Sequence, residues 1–218
     1  MKKYHLKNFG FIALAAMFLL TTTFAQQWVS LNGPYRATNG KDITLGYTGS
    51  TRVLYAATDS VRKSVNSGDS WTTIGNKISP SGYITNPLIV GTKPIDANIV
   101  ITGTYDNIAG NGTIWRSTNS GSTFGAVPSI NNQTYVVPLR FGWSLANTQN
   151  VFLGTLWNDG AHKPTLRKSP DAGLSWSDDN YFYNTVQTHV RAIAWHPTTA
   201  SLVYVGGSSI AVTCPRRK

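Results

Sequence analysis

The chain contains no glutamate and one cysteine, Cys214. Its nine acidic residues are all aspartates, at 42, 59, 69, 96, 106, 159, 171, 178 and 179. Lack of glutamate removes every mechanism that needs a glutamate acid, base or metal ligand. It also argues against long exposed helices, whose surfaces favour that residue. One cysteine excludes an internal disulfide framework. His162, His189 and His196 share no metal-ligand spacing, so neither a metal nor another cofactor is expected. Long apolar runs are missing too. The longest, residues 9–20, is short of the roughly 20 residues of a membrane span. It follows Lys2, Lys3 and Lys7 and precedes small residues at Thr23 and Ala25. That order is expected of a secretory signal peptide over residues 1–25, leaving a secreted, periplasmic or cell-surface chain with no membrane insertion after cleavage.

A formal net charge of +10 would suggest an acidic partner if it were concentrated. Six positive charges lie at the two ends, on Lys2, Lys3, Lys7, Arg216, Arg217 and Lys218, which leaves +4 scattered between. No basic stripe with interleaved aromatics remains, so nucleic acid is not an expected partner. What is plentiful is glycine, serine, threonine and aromatic residues, a composition that suits an all-β exported protein.

The chain repeats one phrase three times: KSVNSGDSW at 63–71, RSTNSGSTF at 116–124 and KSPDAGLSW at 168–176. Asn66 and Asn119 are 53 residues apart, Asn119 and Asp171 are 52 apart, and a period near 50 with strand-like flanks signals an array of blades. Asn66, Asn119 and Asp171 are expected to accept hydrogen bonds from backbone N–H groups two residues on, closing a turn. Gly68, Gly121 and Gly173 supply a positive φ. Ser64, Ser117 and Ser169 end the incoming strand; Trp71, Phe124 and Trp176 open the returning one and fill the layer between sheets. Before each phrase two apolar segments flank a polar turn, as in LIVGTKPIDANIVITGT, and read as an antiparallel hairpin. Each unit is therefore a four-stranded meander, A to D.

The Ser-x-Asp-x-Gly-x-Thr-Trp pattern resembles the Asp-box, or BNR repeat, of sialidase-like, sortilin-like and xyloglucanase-like β-propellers. The resemblance implies an all-β propeller of four-stranded antiparallel blades, with the boxes in a structural role at the C–D turns, away from the ligand face. By this count residues 26–213 hold about three and a half blades, followed by an unstructured basic tail at 214–218. A fourth box would fall near residue 223, so a truncated or frame-shifted propeller is expected, able to pair with a missing C-terminal half.

The B–C and D–A loops share the face opposite the boxes. They offer Tyr83, Tyr105, Tyr135, Trp157, Tyr181, Phe182 and Tyr183, rings on which sugar C–H faces could stack, or which could pack between blades. The acidic residues there are Asp59, Asp106, Asp159, Asp178 and Asp179. Glycoside hydrolysis uses two carboxyls flanking the bond. Asp59, in YAATDSVRKS, resembles the aspartate of the TD segment in xyloglucanase-like propellers, without the glycines that follow it there. Asp106 and Asp159 hold similar loop positions in the next blades. No catalytic set is assigned. Sialidase activity is not expected, because Arg36 and Arg140 lack the motif that family carries and there is no glutamate for its nucleophile pair. Asn111 and Asn132 match glycosylation sequons. The expected function is an exported, non-enzymatic binding or scaffold module for a glycan or a cell-surface protein. The alternative is part of a xyloglucanase-like polysaccharide hydrolase.

Overall fold

The computed structural model describes residues 40–74, 87–106, 109–130, 133–134, 136–157, 166–178 and 188–209; for 133, 134, 157, 178, 188, 208 and 209 it describes the backbone alone. The leader at 1–25, Tyr83, Asp159 and the tail lie outside these residues. So do Tyr135, Asp179, Tyr181, Phe182 and Tyr183.

The described chain is a β-propeller with no α-helix among its described residues. Blade 1 is β1 (Asp42–Thr48), β2 (Thr51–Ala57), β3 (Val61–Ser64) and β4 (Thr72–Ile74). Blade 2 is β5 (Pro87–Lys93), β6 (Asp96–Asp106), β7 (Asn111–Ser117) and β8 (Gly125–Ala126), followed by a 3-10 turn at Pro128–Ile130. A fifth strand, β9 (Gln133–Thr134), pairs with β7, an addition not expected from the repeat. Blade 3 is β10 (Val136–Trp143), β11 (Val151–Trp157), β12 (Leu166–Ser169) and β13 (Ser177–Asp178). Blade 4 shows two strands, β14 (Thr188–Trp195) and β15 (Val203–Ser209). Every pairing is antiparallel and, β9 with β7 aside, follows chain order within a blade, and the first strands β1, β5, β10 and β14 neighbour one another in succession.

The repeated phrase forms the same clasp each time, at the turn between third and fourth strands. In the first, the Ser64 hydroxyl donates to Asn66 Oδ1 at 2.9 Å and accepts the Gly68 N–H at 2.9 Å. The second repeats these bonds at Ser117, Asn119 and Gly121, the third at Ser169, Asp171 and Gly173. Two details differ from expectation. The Asn or Asp oxygen accepts the N–H four residues on, from Ser70, Thr123 and Ser175, rather than two on. Positive φ is also needed at two consecutive positions: Ser67, Ser120 and Ala172 lie at 59°, 58° and 56° just before the glycines. Two successive left-handed residues suit a type I′ turn, whose twist matches the flanking strands. The serine oxygen reaches across the turn and takes the place that a two-residue Asx closure would fill.

The clasp accepts Asn or Asp because its last hydroxyl reverses. Ser70 and Thr123 accept from the Asn66 and Asn119 amides at 2.8 Å, whereas Ser175 donates to the Asp171 carboxylate. Burial alone would raise the Asp171 carboxyl; donors from Ser175, Ser169 and Leu174 outweigh it and hold the group below the usual carboxylate range. A depressed folded value adds stability above the unfolded pKa, near 3.9, and loses it as pH falls through the folded value. Asp171→Asn is therefore expected to cost less than about 1 kcal/mol at pH 7, with the gap closing by pH 3. Urea unfolding of both proteins at the two pH values checks it; an equal gap at both would refute the assignment.

The second and third clasps also sit on the preceding blade. A Cβ on Gly121 would meet Ile74 Cδ1 of blade 1 at 2.2 Å, and one on Gly173 would meet Ile101 Cγ2 of blade 2 at 2.9 Å. Arg116 Nε of blade 2 donates to the Ala172 carbonyl in the clasp of blade 3 at 3.0 Å.

The cores lie between blades, so the middle blades bury both faces. That is why β5 (PLIVGTK) reads as an almost unbroken apolar run instead of alternating. Tyr55 and Val61 of blade 1 pack with Val90 and Val100 of blade 2, and the Tyr55 hydroxyl donates to the Ala97 carbonyl at 2.6 Å. Burial pushes that phenol up to about 12, partly offset by Ser120. Ile89, Ile101 and Ile114 of blade 2 meet Phe141, Leu153 and Trp176 of blade 3. Phe152 and Leu166 of blade 3 meet Ile193 and Trp195 of blade 4. Each fully buried side chain of this size contributes about 1.5–3 kcal/mol. Of the three clasp aromatics, Trp176 is buried between blades as expected and Phe124 half so, but Trp71 borders an open hollow on the outer face of blade 1.

Candidate functional site

The strand order places the starts of first strands and the ends of second strands at one end of the blades, opposite the clasps. Asp42 pairs with Ala57, at the start of β1 and the end of β2. Asp59 follows two residues later in the loop to β3. Its carboxylate accepts from the Thr58 hydroxyl at 2.7 Å and from Arg62 Nη2 at 3.2 Å, and its side chain is 48% exposed. The Thr58 hydroxyl first, with Arg62 aiding, holds the Asp59 carboxyl below the usual range. Asp59 is thus an accessible, ionised carboxylate with one oxygen crowded by donors. Such a group can act as a base or nucleophile, but it is not primed to act as an acid.

At the same end the first strands of three blades enclose a cleft of about 60 Å³. Across it Arg140 Nη1 of β10 donates to Asp42 Oδ1 of β1 at 2.8 Å, while the Val90 N–H of β5 donates to Asp42 Oδ2 at 3.2 Å. Burial raises the Asp42 carboxyl, against the opposing pull of Val90, Arg140 and Ile43. One carboxylate therefore ties three blades together at the axis. The sequence reading missed this pair: Asp42 was not among its candidates, and Arg140 entered only in the sialidase comparison. The two lie 98 residues apart with no motif around either, so only strand register could have joined them.

The other candidates are spread. Asp106 ends β6, exposed, and its backbone carbonyl accepts from the Gly110 N–H at 2.7 Å, closing its own loop. Tyr105 beside it is half-buried. Trp157 and Asp178 end β11 and β13, and their side chains lie outside the described residues. His189 is buried in β14; burial, then the nearby Arg191 charge, push its imidazole toward the neutral form. His196 lies between β14 and β15, its Nδ1 accepting the Thr199 N–H at 3.2 Å. Among the described residues no three His, Cys or Asp side chains cluster as a metal site.

No family model matches the chain. A xyloglucanase from Hypocrea jecorina is 29% identical over 174 residues, which is 80% of this chain and 18% of that protein. The GH74 xyloglucanase from Xanthomonas campestris superposes with a TM-score of 0.58 at 16% identity, over 84% of this chain and 29% of its own. YCF48 from Cyanidioschyzon merolae superposes with a TM-score of 0.53 at 14% identity, over 84% and 51%. The chain therefore spans about a fifth of the length of the curated relative it matches. The solved structures establish the propeller fold, and the fold alone carries no activity. The relative favours the hydrolase alternative over the non-enzymatic module expected from the sequence.

Proposed function

We propose that this chain is the part of an exported, xyloglucanase-like polysaccharide hydrolase that carries Asp59 as an ionised carboxylate at the scissile bond. The observation that carries the reading is the setting of Asp59: it leaves strand β2 on the loop face, accessible and kept charged by Thr58 and Arg62. The 29% identity to a xyloglucanase supports the substrate class. Tyr105, at the corresponding strand end of blade 2, offers a ring beside the same face. Asp42 is unsuited to the second carboxyl role, because both its oxygens are engaged in joining blades. The leader-like residues 1–25 support export, where a polymeric substrate is met.

The test is incubation with xyloglucan of the full-length protein that carries this chain, since a second carboxyl is also needed, reading reducing ends and retained polysaccharide together. Release of reducing ends is expected. Retention without release would favour a glycan-binding module instead, and neither retention nor release would defeat both.

A further inference from the structure

Strand register shows that the Asp59 carboxylate is mounted on a position the first three blades share. Leu54, Val100 and Val151 are equivalent, since each pairs with the clasp serine of its own blade, Ser64, Ser117 or Ser169. Four residues beyond each stands a threonine: Thr58, Thr104 and Thr155. In blade 2 the Thr104 hydroxyl accepts from Trp115 Nε1 at 3.0 Å and donates to the Thr113 carbonyl at 3.4 Å, tying second strand to third. Arg62 stands where Trp115 stands, two residues before the clasp serine, and its Nε donates to the Thr58 hydroxyl at 3.3 Å. The acceptor half of the tie is thus the same in blades 1 and 2. The donor half differs.

One residue beyond the threonines stand Asp59, Tyr105 and Leu156. Asp106, expected from the sequence to match Asp59, lies one residue past that position, so the carboxylate belongs to blade 1 and not to the repeat. The buried Thr58 hydroxyl has one proton and two acceptors within reach: Asp59 Oδ1 at 2.7 Å and the Ser60 carbonyl at 3.0 Å. That carbonyl already accepts the Thr58 N–H at 3.0 Å. The carboxylate is nearer and charged, and it takes the proton. Oδ1 also accepts from Arg62 Nη2 at 3.2 Å and from the Ser60 hydroxyl at 3.3 Å. Among the described residues Oδ2 accepts from Arg62 Nη2 alone, at 3.5 Å. The last torsion of an aspartate is soft and nearly two-fold, so donors decide which oxygen is held.

We propose that Thr58 is the positioning residue of this site: it clamps Asp59 Oδ1 and leaves Oδ2 as the oxygen that works on the sugar. The inference rests on the proposed hydrolysis and adds to it the atom that reacts and the group that selects it. A hydroxyl that blade 2 spends on its own strands is turned, in blade 1, onto the carboxylate.

The experiment compares variants of the full-length protein that carries this chain, with xyloglucan as substrate. Thr58→Val keeps the shape of the side chain and removes the donor. Its kcat should fall about 10–10²-fold, the scale of a misplaced reacting group, with KM little changed. Its acid limb should move to higher pH, because the first donor holding the Asp59 carboxyl low is gone. Thr58→Ser restores the donor and should return both to the parent values. Thr104→Val removes the equivalent tie where no carboxylate hangs on it, and should leave kcat and the limb in place. Where the valine protein does not fold, Thr58→Ala takes its place, since it lacks the hydroxyl without setting a methyl against Arg62 Nε. An unchanged kcat and limb without the hydroxyl, equal losses in the serine protein, or an equal loss in Thr104→Val would each overturn the proposal. Asp59→Asn separates the two readings. If it leaves hydrolysis intact, the site itself is wrong and Thr58 falls with it; if it abolishes hydrolysis while Thr58→Val does not lower it, only the positioning role is lost.

Discussion

In the full-length hydrolase proposed above, Asp59→Asn is expected to lower xyloglucan hydrolysis about 10²–10⁴-fold, the usual contribution of a positioned acid or base, with KM little changed. The amide keeps the shape and can still accept from Thr58, but it carries no charge to take a proton or attack a sugar carbon. Arg62→Gln supplies the companion measurement. Thr58 and Arg62 hold the Asp59 carboxyl low, so the parent base stays ionised into moderate acid. Losing the guanidinium lets that value rise, so the acid limb of the pH–rate profile should move to higher pH. A loss smaller than about tenfold in the Asn variant would remove Asp59 from the chemistry. An unmoved acid limb in the Gln variant would show that the limb belongs to another group.

The second large effect is on stability. Gly154→Ala is expected to destabilise the fold by about 1–3 kcal/mol, the cost of forcing extra atoms into a tight contact. The new methyl would lie 2.5 Å from the Val190 carbonyl oxygen and 2.7 Å from Val190 Cγ1. Backbone of the next blade cannot swing aside as a side-chain tip can, so blade 4 must lift. At about 2–4 °C per kcal/mol for a chain of this size, the melting temperature should fall several degrees. Gly125→Ala is the control, since a Cβ there meets nothing within 4 Å. Equal melting temperatures for the two variants would show that the blades are not packed through their glycines.

Glycine was read in the sequence for one purpose and serves two. The positive φ of Gly68, Gly121 and Gly173 follows from the repeated phrase, because a turn's dihedrals are a local matter. The close approach of one blade at Gly91, Gly142 and Gly154 does not, because the atom that would clash comes from the next repeat. The same division holds for the clasp. Its serine, amide and glycine are legible as a group, yet the bond to the fourth residue on and the second left-handed residue had to be seen. Trp71 and Trp176 are identical in their phrases but not in burial: Trp176 packs against Ile101 of the preceding blade, while Trp71 lines an open hollow.

Local order was decided by the sequence alone: strands of alternating or doubly apolar pattern, punctuated at a fixed period by a phrase that can only be a tight turn, make four-stranded blades. Which carboxylates act, and which merely hold, was decided by the tertiary structure. Asp42 and Asp59 are both single aspartates at strand ends, seventeen positions apart. The ring of first strands turns one inward against Arg140 and leaves the other in solvent. The reason is physical: a carboxylate's proton affinity and reach depend on burial and on donors brought from distant segments, and neither is written next to it in the chain.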